Sequence, residues 1–155
     1  MKGQLGLVVM SALTAIPAVS RAETLCEVLQ EFVDSVKTDE TRELTFRTSW
    51  GGDFKDSSEQ EVMFAKRCDH GGYAPAKMVC EYLMEKGAVE FAGNNVKDAL
   101  ACLSPQTRFA PKVALHQASF SFAVGTDDRG ALVEMDFYPD EAVGGMAFKV
   151  VADGY

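Results

Sequence analysis

The four cysteines of this chain, Cys26, Cys68, Cys80 and Cys102, narrow its possible folds more than any other feature. What they become depends on where the chain goes. Residues 1–22, MKGQLGLVVMSALTAIPAVSRA, carry Lys2 near the start, an apolar run from Leu5 to Ile16, a break at Pro17, and small residues at Ser20 and Ala22. A basic start, a short apolar stretch and small residues at the cleavage positions describe a secretory signal. A membrane anchor needs ~20 predominantly apolar residues, whereas this run is shorter and is interrupted by Ser11 and Thr14. Cleavage after Ala22 is expected, leaving residues 23–155 as one α+β domain in the periplasm or outside the cell.

In such surroundings thiols oxidise, and an even count in a small exported domain reads as a disulfide framework. Four cysteines allow three pairings. Cys68 with Cys80 closes a local loop of 13 residues, worth about 3 kcal/mol in the chain-entropy relation. Cys26 with Cys102 then ties the first helix to the third. The alternative joins Cys26 to Cys80 and Cys68 to Cys102. The local pairing is the one expected here.

Other chemistry fits these sulfurs less well. The stretch RCDHGGYAPAKMVC places His70 two residues after Cys68 and ten before Cys80. Closed zinc sites bring their ligands in tight pairs such as C-x₂₋₄-C, and no pair here has that spacing. Thiol catalysis in an exported protein calls for an unpaired cysteine or a C-x-x-C pair, and neither occurs. No G-x-S-x-G elbow accompanies His70 or His116. The acid pairs Asp39-Glu40, Asp127-Asp128 and Asp140-Glu141 fall between elements, where neighbours point apart into water. Gly51-Gly52, Gly71-Gly72 and Gly144-Gly145 read as turns rather than phosphate cradles. No catalytic residue, metal ligand or cofactor is therefore expected.

Periodicity supplies the architecture. Glu23–Lys37 is an amphipathic helix with Leu25, Leu29, Phe32 and Val36 on one stripe, and Cys26 and Val33 beside it. Pro75 opens a second helix lined by Ala76, Val79, Cys80 and Leu83, and Gly87 ends it. A third helix, capped by Asn94 or Asn95, buries Val96, Ala99, Leu100 and Leu103, with Cys102 at its margin. TRELTFRTSW alternates, sending Leu44, Phe46, Thr48 and Trp50 one way, and EVMFAKRC is a second strand. HQASFSFAV, ALVEMDFY and MAFKVVA, joined by short polar turns, form an antiparallel meander with one wet face. The fold expected is α+β: an antiparallel sheet of four to five strands, including this C-terminal three-strand meander, with three helices packed on one face and two disulfides.

Charge bounds the partners. Loss of Lys2 and Arg21 leaves 13 basic residues against 23 acidic ones, a balance of −10. Such a surface repels nucleic acid and anionic lipid. The economical expectation is a disulfide-stabilised exported binding protein, of an inhibitor, immunity or envelope-accessory type, that contacts another exported protein. Two alternatives stand beside it: a hydrolase using loop carboxylates, and a small-ligand binder with phenylalanines lining a pocket between helices and sheet. The candidate contact surface is TSWGGDF beside DHGGY, with Trp50, Phe54, His70 and Tyr73 as its aromatic groups. Against this, Trp50 lies on the inward register of its strand and would equally serve as core.

Overall fold

A capping box starts the first helix, α1 (Leu25–Asp34): the Thr24 hydroxyl accepts from the Glu27 N–H, and the Glu27 carboxylate accepts from the Thr24 N–H. The structure, a computed structural model, describes residues 23–57 and 62–155; the expected signal segment 1–22 lies outside them. Behind α1 follow β1 (Thr41–Trp50), β2 (Phe64–Asp69), α2 (Ala74–Lys86), α3 (Gly93–Leu103), β3 (Ala118–Gly125), β4 (Gly130–Pro139) and β5 (Met146–Gly154). The five strands form one antiparallel sheet in the order β2-β1-β5-β4-β3. The chain leaves the sheet at one edge after β2, crosses its inner face through α2 and α3, and re-enters at the other edge as β3. The meander then brings β5 back against β1.

Three helices cover that inner face, with α1 between α2 and α3, α2 over β1 and β2, and α1 and α3 over β4. Each buries the stripe its sequence period prescribes: Leu25, Leu29, Phe32 and Val33 with Val28 on α1; Ala76, Val79, Cys80 and Leu83 on α2; Val96, Ala99, Leu100 and Leu103 on α3. On the sheet, Phe46 stands opposite Phe148, and Phe148 opposite Phe137, so three phenylalanines form a row across β1, β5 and β4. All three are buried. The α2–α3 connection crosses this row closely enough that only glycine fits at its start. A Cβ on Gly87 would lie 2.5 Å from the Leu83 carbonyl oxygen and 2.9 Å from the Phe46 ring.

Both disulfides form in the expected pairing. Cys26 near the start of α1 joins Cys102 near the end of α3, and Cys68 on β2 joins Cys80 on α2. One bond therefore laces two helices together, and the other fastens α2 to the sheet. Lys66 adds to the second attachment by donating to the Leu83 and Met84 carbonyls at the C-terminal end of α2, where a cation is favoured.

Two local expectations are corrected. The third helix is not capped by Asn94 or Asn95: it starts after Ala92, without a side-chain cap. Asn95 is buried within it, and its amide closes on the backbone of Ala88, accepting from the N–H and donating to the carbonyl, both at 2.8 Å. The outer face of the sheet is also not wholly wet. Residues 51–57 fold back over it, placing Phe54 beneath the Arg67 guanidinium, 4.6 Å from the ring centroid. Phe54 is only 4% exposed, and Thr45, Ser49 and Ala147 are buried on the same side.

That flap is held to the β4–β5 loop. Lys55 N–H donates to the Val143 carbonyl and Lys55 Nζ to that of Glu141. Asp140 anchors the loop in turn, accepting from Arg47 Nε at 2.8 Å and from the Ala142 and Val143 N–H groups. The Arg47 hydrogen bond, helped by the two backbone donors, holds the Asp140 carboxyl below its ordinary value of 3.8. A carboxyl with a depressed folded-state pKa stabilises the fold fully above the unfolded value, and loses that contribution as pH falls through the folded one. Asp140→Asn is therefore expected to lower stability at neutral pH by about 1.5 kcal/mol, the loss of a charge-assisted hydrogen bond. Urea titrations of the two proteins should differ at neutral pH and converge as pH falls below 3.8 and through the lower folded-state value.

Candidate functional site

β1 runs one residue pair further than the helix layer covers. Leu44, Phe46 and Thr48 are buried on the inner face, whereas Trp50, next in the same register, is 53% exposed. Gly51, with φ of 83°, turns the chain away immediately afterwards. Beyond the last turn of α2 the inner face of the sheet is thus open, and a cleft of about 440 Å³ occupies the space. Phe137 and Met146 line it from the sheet, Val89 to Ala92 from the α2–α3 connection, Gly93 and Asn94 from the start of α3, and Lys112 to His116 from the loop that precedes β3.

Three features give the cleft fixed walls. The Asn95 amide clamps Ala88 at both backbone groups, which sets the path of the connection that carries Phe91. Phe91 is left 66% exposed at the mouth. On the facing wall, Leu115 approaches the start of α3 so closely that a Cβ on Gly93 would meet its carbonyl oxygen at 2.7 Å. Lys97 Nζ donates to the Val113 carbonyl at 2.9 Å and binds the same loop to the helix. Phe64 lies directly across from Trp50 in the β1–β2 register and is 53% exposed, extending the aromatic rim to the sheet edge.

The charged lining runs against the balance of the whole chain. Lys97 and Lys112 stand in it with His116 and a single carboxylate, Glu90. Three acids outside the cleft are each held below the ordinary carboxyl value by a neighbouring cation: Asp56 by Arg67, Glu85 by Lys86 and Asp140 by Arg47. Among the described residues no three His, Cys, Asp or Glu side chains come together as a metal site. Apolar walls with few polar groups suit burial of apolar surface better than proton transfer.

The four aromatic residues singled out in the sequence occupy different places. Trp50 stands at the mouth of the cleft. Phe54 is buried on the opposite face of the sheet, under Arg67. His70 sits in the β2–α2 turn, where its Nδ1 accepts from the Gly72 N–H. Tyr73 packs edge-on to Phe32, donates to the Ser35 hydroxyl at 2.8 Å and carries the Arg42 guanidinium 4.7 Å over its ring. Arg42 is eight residues from Trp50 along β1, roughly 26 Å at the usual strand rise. Tyr73 therefore belongs to the other end of the molecule. Phe91, Val113 and Lys112 had no part in the sequence expectation. The apolar run GAVEFAG between two helices was the one signal that could have located the missing wall.

No protein-family model, no curated protein and no solved structure matches the chain.

Proposed function

We propose that this chain is an exported binding protein that takes an apolar side chain of a partner protein into the cleft beneath Trp50 and Phe91. The observation that carries it is the exposure of Trp50: it occupies a core-facing register, yet stands open beside Phe91 and Phe64. Large, stiff aromatic groups around a preformed apolar pocket are the usual energetic centre of a protein contact. The two lysines in the lining favour a partner segment with acidic residues flanking its apolar anchor, which also removes the conflict with the chain's overall negative charge. Two disulfides support an oxidising compartment, the periplasm or the exterior. A hydrolase using loop carboxylates has less support, because Glu90 has no acidic neighbour in the cleft.

The chain's single tryptophan makes the test direct. Immobilised mature protein should capture a stoichiometric partner from a periplasmic extract, and the purified partner should shift Trp50 fluorescence. Trp50→Ala or Phe91→Ala should weaken that binding by about 2 kcal/mol, some thirtyfold. Stability should move by less than about 1 kcal/mol, since both side chains are largely exposed. A partner held equally well by both variants would remove the cleft from the contact.

A second reading rests on size. About 440 Å³ falls within the range of small-molecule sites, and lysines beside apolar walls suit an aliphatic carboxylate. Titration with dodecanoate separates the two: saturable quenching of Trp50 at micromolar concentration, with no protein captured, would favour the small ligand.

A further inference from the structure

The two edges of the sheet are built differently. β2 is short, and Lys66, Arg67 and Asp69 lie within its six residues. Charge and brevity are the ordinary protection of an edge against pairing with another chain. β3, the opposite edge, has eight residues, ASFSFAVG, without a charge, a proline or a break in its register with β4. Its hairpin fixes which backbone groups are free. The Thr126 N–H donates to the Arg129 carbonyl across the two-residue turn Asp127-Asp128. Continuing that alternation, Val124, Phe122, Phe120 and Ala118 bond to β4, and Ser119, Ser121, Ala123 and Gly125 present N–H and C=O outward. Among the described residues no turn or loop backbone group bonds to these four.

Their side chains are small and lie on the outer face, where they hinder nothing. On the inner face Phe120, Phe122 and Val124 are only half-buried. The helices pack over β4 rather than β3, and Phe109, edge-on to Phe120, provides part of the remaining cover. A second cleft, about 380 Å³, opens beside Val124 between the end of α1 and the hairpin.

We propose that β3 pairs antiparallel with β3 of a second copy of this chain, making a continuous ten-stranded sheet with both helix layers on one side. The ends of the strand select this occupant. His116 and Lys112 precede β3, and Asp127 and Asp128 follow it. None of the four enters an ion pair among the described residues. A two-fold axis perpendicular to the sheet sets the basic end of each copy against the acidic end of the other. With Phe122 on the axis, Ser121 bonds to Ala123 of the second copy, Phe120 lies beside its Val124, and His116 beside its Asp128. Aromatic and β-branched side chains meeting across strands on one face stabilise such a pairing. The contact leaves Trp50 and Phe91 free, although it shares His116 and Lys112 with the lining of the cleft.

Sedimentation equilibrium on the oxidised mature protein is the test. The wild-type chain should show twice the monomer mass at micromolar to millimolar concentration. Ser121→Lys places like charges near the axis and should return the monomer, with unchanged far-ultraviolet circular dichroism. Ser121→Pro removes an N–H that the monomer does not use, and should do the same. Monomer mass for the wild type throughout the range overturns the proposal. So does a dimer that both folded variants retain, since it must use another surface.

Discussion

Replacing Cys26 and Cys102 together by serine is expected to lower the unfolding free energy by about 4.5 kcal/mol, a loss set by loop length. The bond joins residues 76 apart in sequence, so it denies the unfolded chain most of the conformations open to its first two thirds. Cys68 and Cys80 are 12 apart, and serine at both should cost nearer 3 kcal/mol. Position reinforces the difference. Cys26–Cys102 is the covalent link between α1 and α3, whereas β2 and α2 are also joined by the Lys66 contacts. A chain of this size has a total stability of about 7–20 kcal/mol, so losing the long link removes a large share of it. Urea unfolding of the two double variants at neutral pH should give the lower midpoint to Cys26/Cys102. The reverse order would mean that the long loop is already restricted before folding.

Phe148→Ala should be nearly as damaging, at about 3–5 kcal/mol. Phe148 lies on the central strand, between Phe46 and Phe137 in the cross-strand register. Removing its ring takes a partner from both. The surroundings can collapse little, because Gly87 already brings the α2–α3 backbone against the Phe46 ring. Phe148→Leu keeps most of the volume and should cost less than about 1.5 kcal/mol. Phe137 also lines the cleft, so the alanine variant should loosen that wall. Its near-ultraviolet circular dichroism should weaken more than its far-ultraviolet signal, and its urea midpoint should fall. A loss below about 2 kcal/mol would show that the ring of Phe148 is not tightly packed between Phe46 and Phe137.

Much of this architecture was legible locally. The stripe Ala76, Val79, Cys80 and Leu83 recurs at helical spacing, and these four are the residues α2 buries. Val133, Met135 and Phe137 alternate with Leu132, Glu134 and Asp136, and the first three face the core. Asn95 was misread for a physical reason. Asparagine before an apolar period is a good cap, but it caps only if the helix begins at that point. Here the Ala88 backbone offered its amide a buried pair of partners instead. Phe54 shows the converse: a polar, glycine-containing stretch carried a phenylalanine that found shelter on Arg67, and nothing in the spacing of that stretch pointed to it.

The sequence by itself determined the helices and strands, the face each turns inward, and the preference for local cysteine pairing. All three follow from relations between residues near one another in the chain. Only the tertiary structure decided the strand order, the contrast between a charged edge at β2 and a bare one at β3, and the fate of Trp50. Alternation sets the face to which a side chain points, but not whether anything lies over it. That depends on where a helix from elsewhere in the chain stops, and α2 stops just short of covering Trp50.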